Sequence, residues 1–347
     1  MVQRLHAFWF EPAPAARLAF LRILIGGFVL WYLIPQQDNF LQVAGSDTRL
    51  FAPVGVVFHG PVGVELFRWL MRGTIVAVVF LTLGLWHRVT GPVCAGLALW
   101  LFCYRHSWMK LYHSDNVVVF HLIVLGLSRS ADALSLDALI RRWRQPGVAA
   151  ASLTGSGYGW PMRLMCALIV STYFLAAVAK LAGPLGLGWM SGENLRSQMA
   201  IDCIRKEVLG DEPNAVAYAL YDRLPLFTVL AVGSLALEFF APIALFNRRL
   251  GRLWSVNTFL MHWGIFFVMH ITFHYQLTGL MFAPFFRVER LLELPRRLRW
   301  RRAAAFEAPA PVAAPGLSVA PGAVLASGER VLDTGSSTPK LTETKAT

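Results

Sequence analysis

Residues 161–183, "PMRLMCALIVSTYFLAAVAKLAG", form an almost uninterrupted apolar run. An α-helix needs about 20 predominantly apolar residues to cross a bilayer, so this stretch predicts a membrane-spanning helix. Lys180 lies near its end, and no acidic residue occurs within ten positions on either side. The apolar run indicates the fold class, and the lysine raises the question of function.

The composition extends this interpretation to the whole chain. It is 56% hydrophobic and only 15% charged, with a mean hydropathy of +0.52, whereas soluble domains carry about 25% charged residues. We predict an all-α, multi-pass helix bundle in the cell membrane, with the lipid bilayer as its partner. The net charge of +12 is explained by the excess of basic residues on the cytosolic side of membrane proteins, so no nucleic-acid partner is predicted.

Apolar runs predict about eight transmembrane helices, at roughly 17–35, 72–86, 89–104, 116–128, 161–183, 225–246, 253–273 and 275–292. The N-terminus has no compact apolar core followed by a cleavage site, so the first span is expected to direct its own insertion. Basic clusters at 141–144 and 287–302 place both termini in the cytosol. The predicted domains are a transmembrane domain, 1–300, and a disordered Ala/Pro-rich cytosolic tail, 301–347.

Lys180 has two interpretations. Its amine can snorkel to the headgroups at the outer edge of the membrane. Alternatively it is desolvated, which lowers the pKa of a lysine and makes it a usable base near neutral pH. Glu238, near the middle of the sixth predicted span, must be neutral or paired; His262 or Arg22 is the expected partner, and a proton relay is the alternative.

Histidines occur in and beside the spans: His106, His113, His121, His262, His270 and His274. His270 and His274 are four apart and are expected to share a helix face, but "HITFH" lacks the glutamate of a zinc-hydrolase helix. A haem between His121 and either His262 or His270 is a further possibility, and hydrogen-bonded structural roles are the ordinary one. The four cysteines show no paired spacing, and no metal site is predicted.

The predicted topology directs several titratable residues toward the outer leaflet: His106, His113, Asp115, Lys180 and His274. Titratable groups that converge beside apolar walls are typical of a ligand pocket. The outer loops 36–71 and 184–224 are long, and the second is expected to hold a short amphipathic helix within "GDEPNAVAYALYDRLP".

"YFLAAVAKL" followed by "GWMSGENL" resembles the most recognisable segment of the vitamin K-dependent γ-carboxylase-like family, also called the horizontally transferred transmembrane domain. The matching residues are Tyr173, Phe174, Ala176, Ala177, Lys180, Leu181, Trp189 and Gly192. "HSDNVVVFHLIVLGLSRSADALSLDAL" resembles the family helix that ends in a Ser-apolar-Asp turn, here Ser135 to Asp137. The resemblance covers about residues 10–290.

The resemblance implies that Lys180 is the base that deprotonates a reduced quinone, vitamin K or a menaquinol-like molecule. In the carboxylases, oxygen then attacks the ring and the resulting strong base activates a glutamate of a secreted peptide for CO2 addition. His113, with His106 second, matches a histidine that is important there. The quinol pocket is expected to include His106, Asp115, Tyr173, Trp189, His270 and His274.

Three other functions remain open. The carboxylases carry a large extracytoplasmic substrate domain after the membrane part, where this chain continues into the Ala/Pro-rich sequence. A non-catalytic membrane partner in the maturation or export of a secreted peptide or lipid is therefore the main alternative. An electron-transfer subunit and a transporter are the others, although no inverted repeat supports a transporter.

Overall fold

The computed structural model describes residues 2–108, 113–145, 153–212 and 214–293, without the side chains of residues 113 and 114. This part of the chain is mostly helical. Its strands are one antiparallel pair of two residues each, β1 (Ala13–Pro14) and β2 (Thr154–Gly155). The helical part of the predicted fold class is confirmed, and the predicted tail, 301–347, lies outside the described residues.

The α-helices in the described residues are α1 (Val2–Trp9), α2 (Ala15–Leu33), α3 (Gln37–Ala44), α4 (Val64–Leu83), α5 (His87–His106), α6 (His113–Leu127), α7 (Leu136–Arg144), α8 (Ser156–Ala182), α9 (Glu193–Val208), α10 (Ala215–Leu220), α11 (Leu224–Phe239), α12 (Ile243–Phe246), α13 (Arg248–Met269) and α14 (His274–Leu277). Short 3-10 helices occur at Thr48–Leu50, Gly186–Ser191, Leu280–Phe285 and Val288–Glu293.

Among the described residues, three helices are long and apolar enough to cross a membrane: α2, α4 and α8. They coincide with the first, second and fifth predicted spans. The apolar helices α6 and α11 are shorter. Helices α5 and α13 match the third and seventh predicted spans in position, and each carries several polar residues.

The turn between α4 and α5 is held by the Ser-apolar-Asp motif. Gly84 adopts a φ of 64°, which a residue with a side chain rarely tolerates. The carboxylate of Asp137 accepts hydrogen bonds from the backbone N–H groups of Trp86 and His87, both at 2.8 Å, and so caps the first turn of α5. Ser135 caps α7 in the same way. The motif therefore has a structural role.

Helices α5 and α6 cross in close contact at two glycines. A methyl group on Gly91 would lie 2.3 Å from the carbonyl oxygen of Gly126, and one on Gly126 would lie 2.5 Å from that of Gly91. Small residues at such a crossing let two helix backbones approach. The crossing brings Asp115 at the start of α6 close to Arg105 at the end of α5.

The predicted eighth helix, 275–292, is wrong as a continuous helix. After α14 the chain turns at Gly279, whose φ is 73°, and continues as two 3-10 helices, the first of which contains Pro284. The segment runs antiparallel to α2: the ring of His274 contacts that of Tyr32 near one end of α2, and Glu289 pairs with Arg17 near the other. Its middle is buried, from Met281 to Pro284.

The loop 184–224 contains more helix than the sequence predicted. The expected short helix is α10, and α9, which precedes it, was not predicted. Met199 and Cys203 of α9 pack against Ala217 and Phe227 in a small core of their own. Helix α9 has a mixed composition, with five charged or amide residues among its first ten. A search for apolar runs therefore does not detect its buried face.

Candidate functional site: a buried lysine–glutamate pair

Lys180 has an acidic partner that comes from another helix. Its Nζ donates to Oε1 and Oε2 of Glu238 at 2.7 and 2.6 Å. The two side chains are 26% and 10% exposed. The ring of Trp189 lies 5.4 Å from Nζ, so its π-face also contacts the ammonium. Lys180 and Glu238 therefore form an ion pair between α8 and α11, a partner that neither interpretation of the lysine included.

The partners expected for Glu238 are occupied elsewhere. Arg22 is fully buried and donates to the carbonyl oxygens of Leu81 (2.9 Å) and Leu134 (2.6 Å). The Nδ1 of His262 lies 2.8 Å from the carbonyl oxygen of Thr258 on its own helix. Because a carbonyl only accepts, that nitrogen carries the proton. The expected pairing of Glu238 with His262 or Arg22 is therefore wrong.

The pair lies deeper in the bundle than the position of Lys180 in the sequence suggests. The first turn of α11 contacts the chain after α8, where the hydroxyl of Thr228 donates to the carbonyl of Ser191 at 2.7 Å. Glu238 is ten residues further along α11, which is about 15 Å at 1.5 Å per residue. Side chains on a helix point back toward its N-terminus, so the amine of Lys180 is directed to Glu238 rather than to the end of α8.

Aromatic residues line α8 below the pair. Tyr173, Ala177 and Lys180 lie on one face of α8, at helical spacing. The ring of Tyr173 meets those of Trp254 and His262 edge to face, with centroids 5.3 and 5.8 Å apart. Its hydroxyl lies 3.4 Å from Nε2 of His262, the nitrogen that can accept a proton. A hydroxyl and an imidazole therefore lie one to two helix turns from the lysine.

A second polar cluster contains other predicted site residues. Arg105 donates to Asp115 at 2.7 Å and to the hydroxyl of Tyr32 at 2.8 Å. Nε2 of His106 lies 3.9 Å from the same carboxylate, and the ring of His274 is 5.3 Å from that of Tyr32. The side chains of Arg105 and Asp115 are 8% and 4% exposed. This cluster is a buried hydrogen-bonded network at the ends of α2 and α5 and the start of α6.

The predicted site residues thus fall in two places. Lys180, Trp189 and Tyr173 belong to the first, and His106, Asp115 and His274 to the second. His113 begins α6, and its side chain lies outside the described part. His270 is exposed and ends α13 in the left-handed conformation, with a φ of 49°. The expectation that His270 and His274 share a helix face is wrong, because α13 ends at Met269, before His270, and α14 begins only at His274.

The two places are joined through the turn between α13 and α14. The ring of Phe273 meets that of His262 with centroids 5.3 Å apart, and the ring of the next residue, His274, contacts that of Tyr32. Sequence analysis missed Tyr32 and Arg105 as members of the second cluster. The signal for Arg105 was available, because a basic and an acidic residue flanking two apolar helices are expected to pair when buried.

The described residues contain no group of three or more His, Cys, Asp or Glu side chains that could hold a metal ion. Nδ1 of His121 lies 2.7 Å from the hydroxyl of Tyr275. Comparison of the sequence and the fold with protein-family models, with curated proteins and with solved structures gives no match. Arguments about function therefore rest on this chain's own residues.

Proposed function

We propose that this chain is a multi-pass protein of the cell membrane with about eight crossings and both termini in the cytosol. Three helices long and apolar enough to span support this. The segment from His274 to Glu289 also supports it, because it returns along α2 with its middle, Met281 to Pro284, buried. Irregular backbone at membrane depth is tolerated where protein surrounds it.

Within that fold, we propose a proton-transfer enzyme that uses a reduced quinone, in the manner of the γ-carboxylase-like family. The observation that carries the proposal is the two-contact pair of Lys180 and Glu238 among apolar helices. In a poorly solvated site, moving the shared proton from Nζ to the carboxylate removes two charges at once. The amine that remains is a base, and Glu238 is the group that holds the displaced proton.

The surroundings of the amine fit a flat, apolar ring. Trp189 lies over Nζ, and the rings of Phe174 and Phe239 are 5.9 Å apart on the same pair of helices. Leu175 and Val178 are exposed on α8, so an apolar molecule can approach from the side of the bundle. A bound quinol would supply the hydroxyl proton and the electrons for oxygen reduction. Lys180 would accept that proton, and Trp189 would limit the access of water.

The test is oxygen consumption by the purified protein with reduced menaquinone or vitamin K hydroquinone. Lys180→Met is expected to lower turnover by about 10²-fold or more, the usual contribution of a general base. That variant also leaves Glu238 without a partner, so Lys180→Met/Glu238→Leu is the matched control. Removing both charges restores much of the stability without restoring turnover. Normal oxygen uptake in either variant would overturn the proposal.

A second function, a non-catalytic membrane partner, is favoured by one observation. Ile201, Ile204 and Val208 form an apolar ridge along α9 and are 64%, 58% and 79% exposed. Such a ridge indicates a contact with a membrane surface or with another protein. If this is the function, Ile201→Ser/Ile204→Ser abolishes co-purification of a partner while Lys180→Met leaves it unchanged. The reverse pattern would exclude it.

A further inference from the structure

A large cavity lies at the opposite end of the bundle from the α13–α14 turn. Its volume is about 710 Å³, and it lies between the starts of α2 and α13, the first turns of α8 and the last described segment. Six arginines line it: Arg17, Arg163, Arg248, Arg252, Arg287 and Arg290. They come from parts of the chain that are far apart in sequence, so the fold gathers them.

Carboxylates compensate only half of these arginines. Glu11 bridges Arg163, at 2.9 Å, and Arg248. Gly159 makes this possible, because a methyl group there would lie 1.8 Å from the carbonyl oxygen of Glu11. Glu289 holds Arg17 by two contacts, at 2.8 and 2.7 Å.

The other three arginines, Arg252, Arg287 and Arg290, form no ion pair with a carboxylate in the described part of the chain. All three are exposed. Like charges gathered around one cavity repel each other, and a bound anion would relieve that repulsion. The cavity therefore combines three arginines paired with two carboxylates and three cations that are available to a ligand.

Part of the cavity lining is apolar. Met162 and Cys166 of α8 and Ala283, Phe285 and Phe286 of the last segment line it together with the arginines. A soluble anion would leave this surface uncovered. A lipid would cover it with the first part of its acyl chains while its headgroup reaches the arginines.

We propose that this cavity binds the phosphate group of an anionic phospholipid. Guanidinium groups bind phosphate oxygens through two parallel hydrogen bonds, and basic pockets on the cytosolic side of membrane proteins attract anionic headgroups. A soluble phosphate ester offers the same anion without acyl chains and is the competing source. The inference rests on the proposed membrane location but not on the proposed chemistry at Lys180.

Arg249 provides a matched control. It lies on the same helix as Arg248 and Arg252 and is exposed, but it does not line the cavity. A general attraction of basic residues to an anionic surface would involve Arg249 as much as Arg252. A built site would involve only the arginines of the cavity.

The experiment is native mass spectrometry of the full-length protein released from detergent, with phosphatidylglycerol, phosphatidylcholine or inorganic phosphate added. We expect retained phosphatidylglycerol and little phosphatidylcholine. Arg252→Gln/Arg287→Gln is expected to weaken phosphatidylglycerol binding roughly tenfold, and Arg249→Gln to leave it unchanged. Neither Arg252 nor Arg287 holds a carboxylate, so the double variant should keep the wild-type unfolding temperature, which is measured in parallel.

Three results would overturn the proposal: equal retention of the two lipids, an equal effect of Arg249→Gln, or displacement of phosphatidylglycerol by equimolar inorganic phosphate. The last would assign the arginines to a soluble phosphate ester. Lys180→Met is expected to bind lipid like the wild type, so loss of oxygen uptake and loss of lipid binding are separate outcomes. Recovery of the protein without detergent would instead overturn the membrane location.

Discussion

Two of the ion pairs that join helices in this molecule, Arg105–Asp115 and Lys180–Glu238, differ in the residue that carries the positive charge. Arg105 and Asp115 are ten positions apart in sequence and have Tyr32 and His106 around them. Lys180 and Glu238 are 58 positions apart, and the amine has an aromatic ring as its other close neighbour. The arginine pair is also the less exposed of the two.

The two cations differ in chemistry, and this distinguishes a structural ion pair from one that could exchange a proton. Arginine stays protonated in proteins and binds with a planar fork of donors, which suits a permanent network. Lysine is a single ammonium that loses its proton when it is desolvated. We therefore interpret the arginine pair as the clamp that fixes α2, α5 and α6, and the lysine pair as the site where a proton can move.

The comparison first predicts a large structural effect at the clamp. Arg105→Met removes the guanidinium that donates to the buried carboxylate of Asp115, and breaking a buried ion pair from one side typically costs about 3–5 kcal/mol. The free energy of unfolding in mixed detergent, followed by tryptophan fluorescence, measures it. Arg105→Met/Asp115→Leu is the control, because removing both charges should recover much of the loss. A loss below about 1 kcal/mol in the single variant would mean that the pair is no clamp.

The second prediction replaces the lysine of the Lys180–Glu238 pair with arginine, the cation of the other pair. Lys180→Arg keeps a cation opposite Glu238, so the unfolding free energy should stay within about 1.5 kcal/mol of the wild type, with the larger guanidinium as the main cost. Turnover should fall by about 10²-fold or more, because the guanidinium does not act as a base. Oxygen uptake with reduced quinone measures this. Retained turnover would show that position 180 needs only a positive charge.

The smallest expected effect concerns an ion pair at the surface of the bundle. Hydrogen bonding to Arg248 and then to Arg163 lowers the pKa of Glu11 below its ordinary value of 4.5, against the opposing effect of burial. A carboxyl whose pKa is lower in the folded state than in the unfolded state stabilises the fold at pH values above its unfolded-state pKa. This stabilisation is lost as the pH falls through the folded-state pKa.

Unfolding temperatures of the wild type and Glu11→Gln, measured across the acid range, test this third prediction. The wild type should be the more stable by a constant, small amount above about pH 5, and the difference should shrink as the pH falls below 4.5. A difference that grows toward low pH would contradict the assignment. The Arg105–Asp115 and Lys180–Glu238 pairs are present in both proteins, so their contributions to stability cancel in the difference.

The sequence predicted the main helices well and the last segment poorly. The runs at 17–35 and 161–183 are long and apolar, so their helices follow from local composition. Residues 275–292 are also largely apolar but contain Gly279 and Pro284 in their interior, and their irregular backbone packs against α2 and α8. The composition of a segment reports how strongly it prefers lipid to water. It does not report which groups its backbone N–H and C=O groups bond to.

The sequence also did not predict which residues pair with one another in the sites. Glu238 was recognised as an acid that requires a partner, but His262 and Arg22 were expected in place of Lys180. Side-chain pairing between α8 and α11 depends on the offset of the two helices, and that offset is set by the chain from 183 to 191, which packs along α11. No local pattern encodes an offset of this kind.

The sequence by itself determined the helical class, the positions of the longest apolar helices and the choice of Lys180 and Glu238 as charges that need an explanation. These follow from hydropathy and from the cost of an isolated charge among apolar residues, both of which are local. Only the tertiary structure decided that the two charges neutralise each other, that His106, Asp115 and His274 lie in a separate network and that six arginines surround one cavity. Contacts between distant residues arise from the packing of whole helices, and their geometry exists only once the chain is folded.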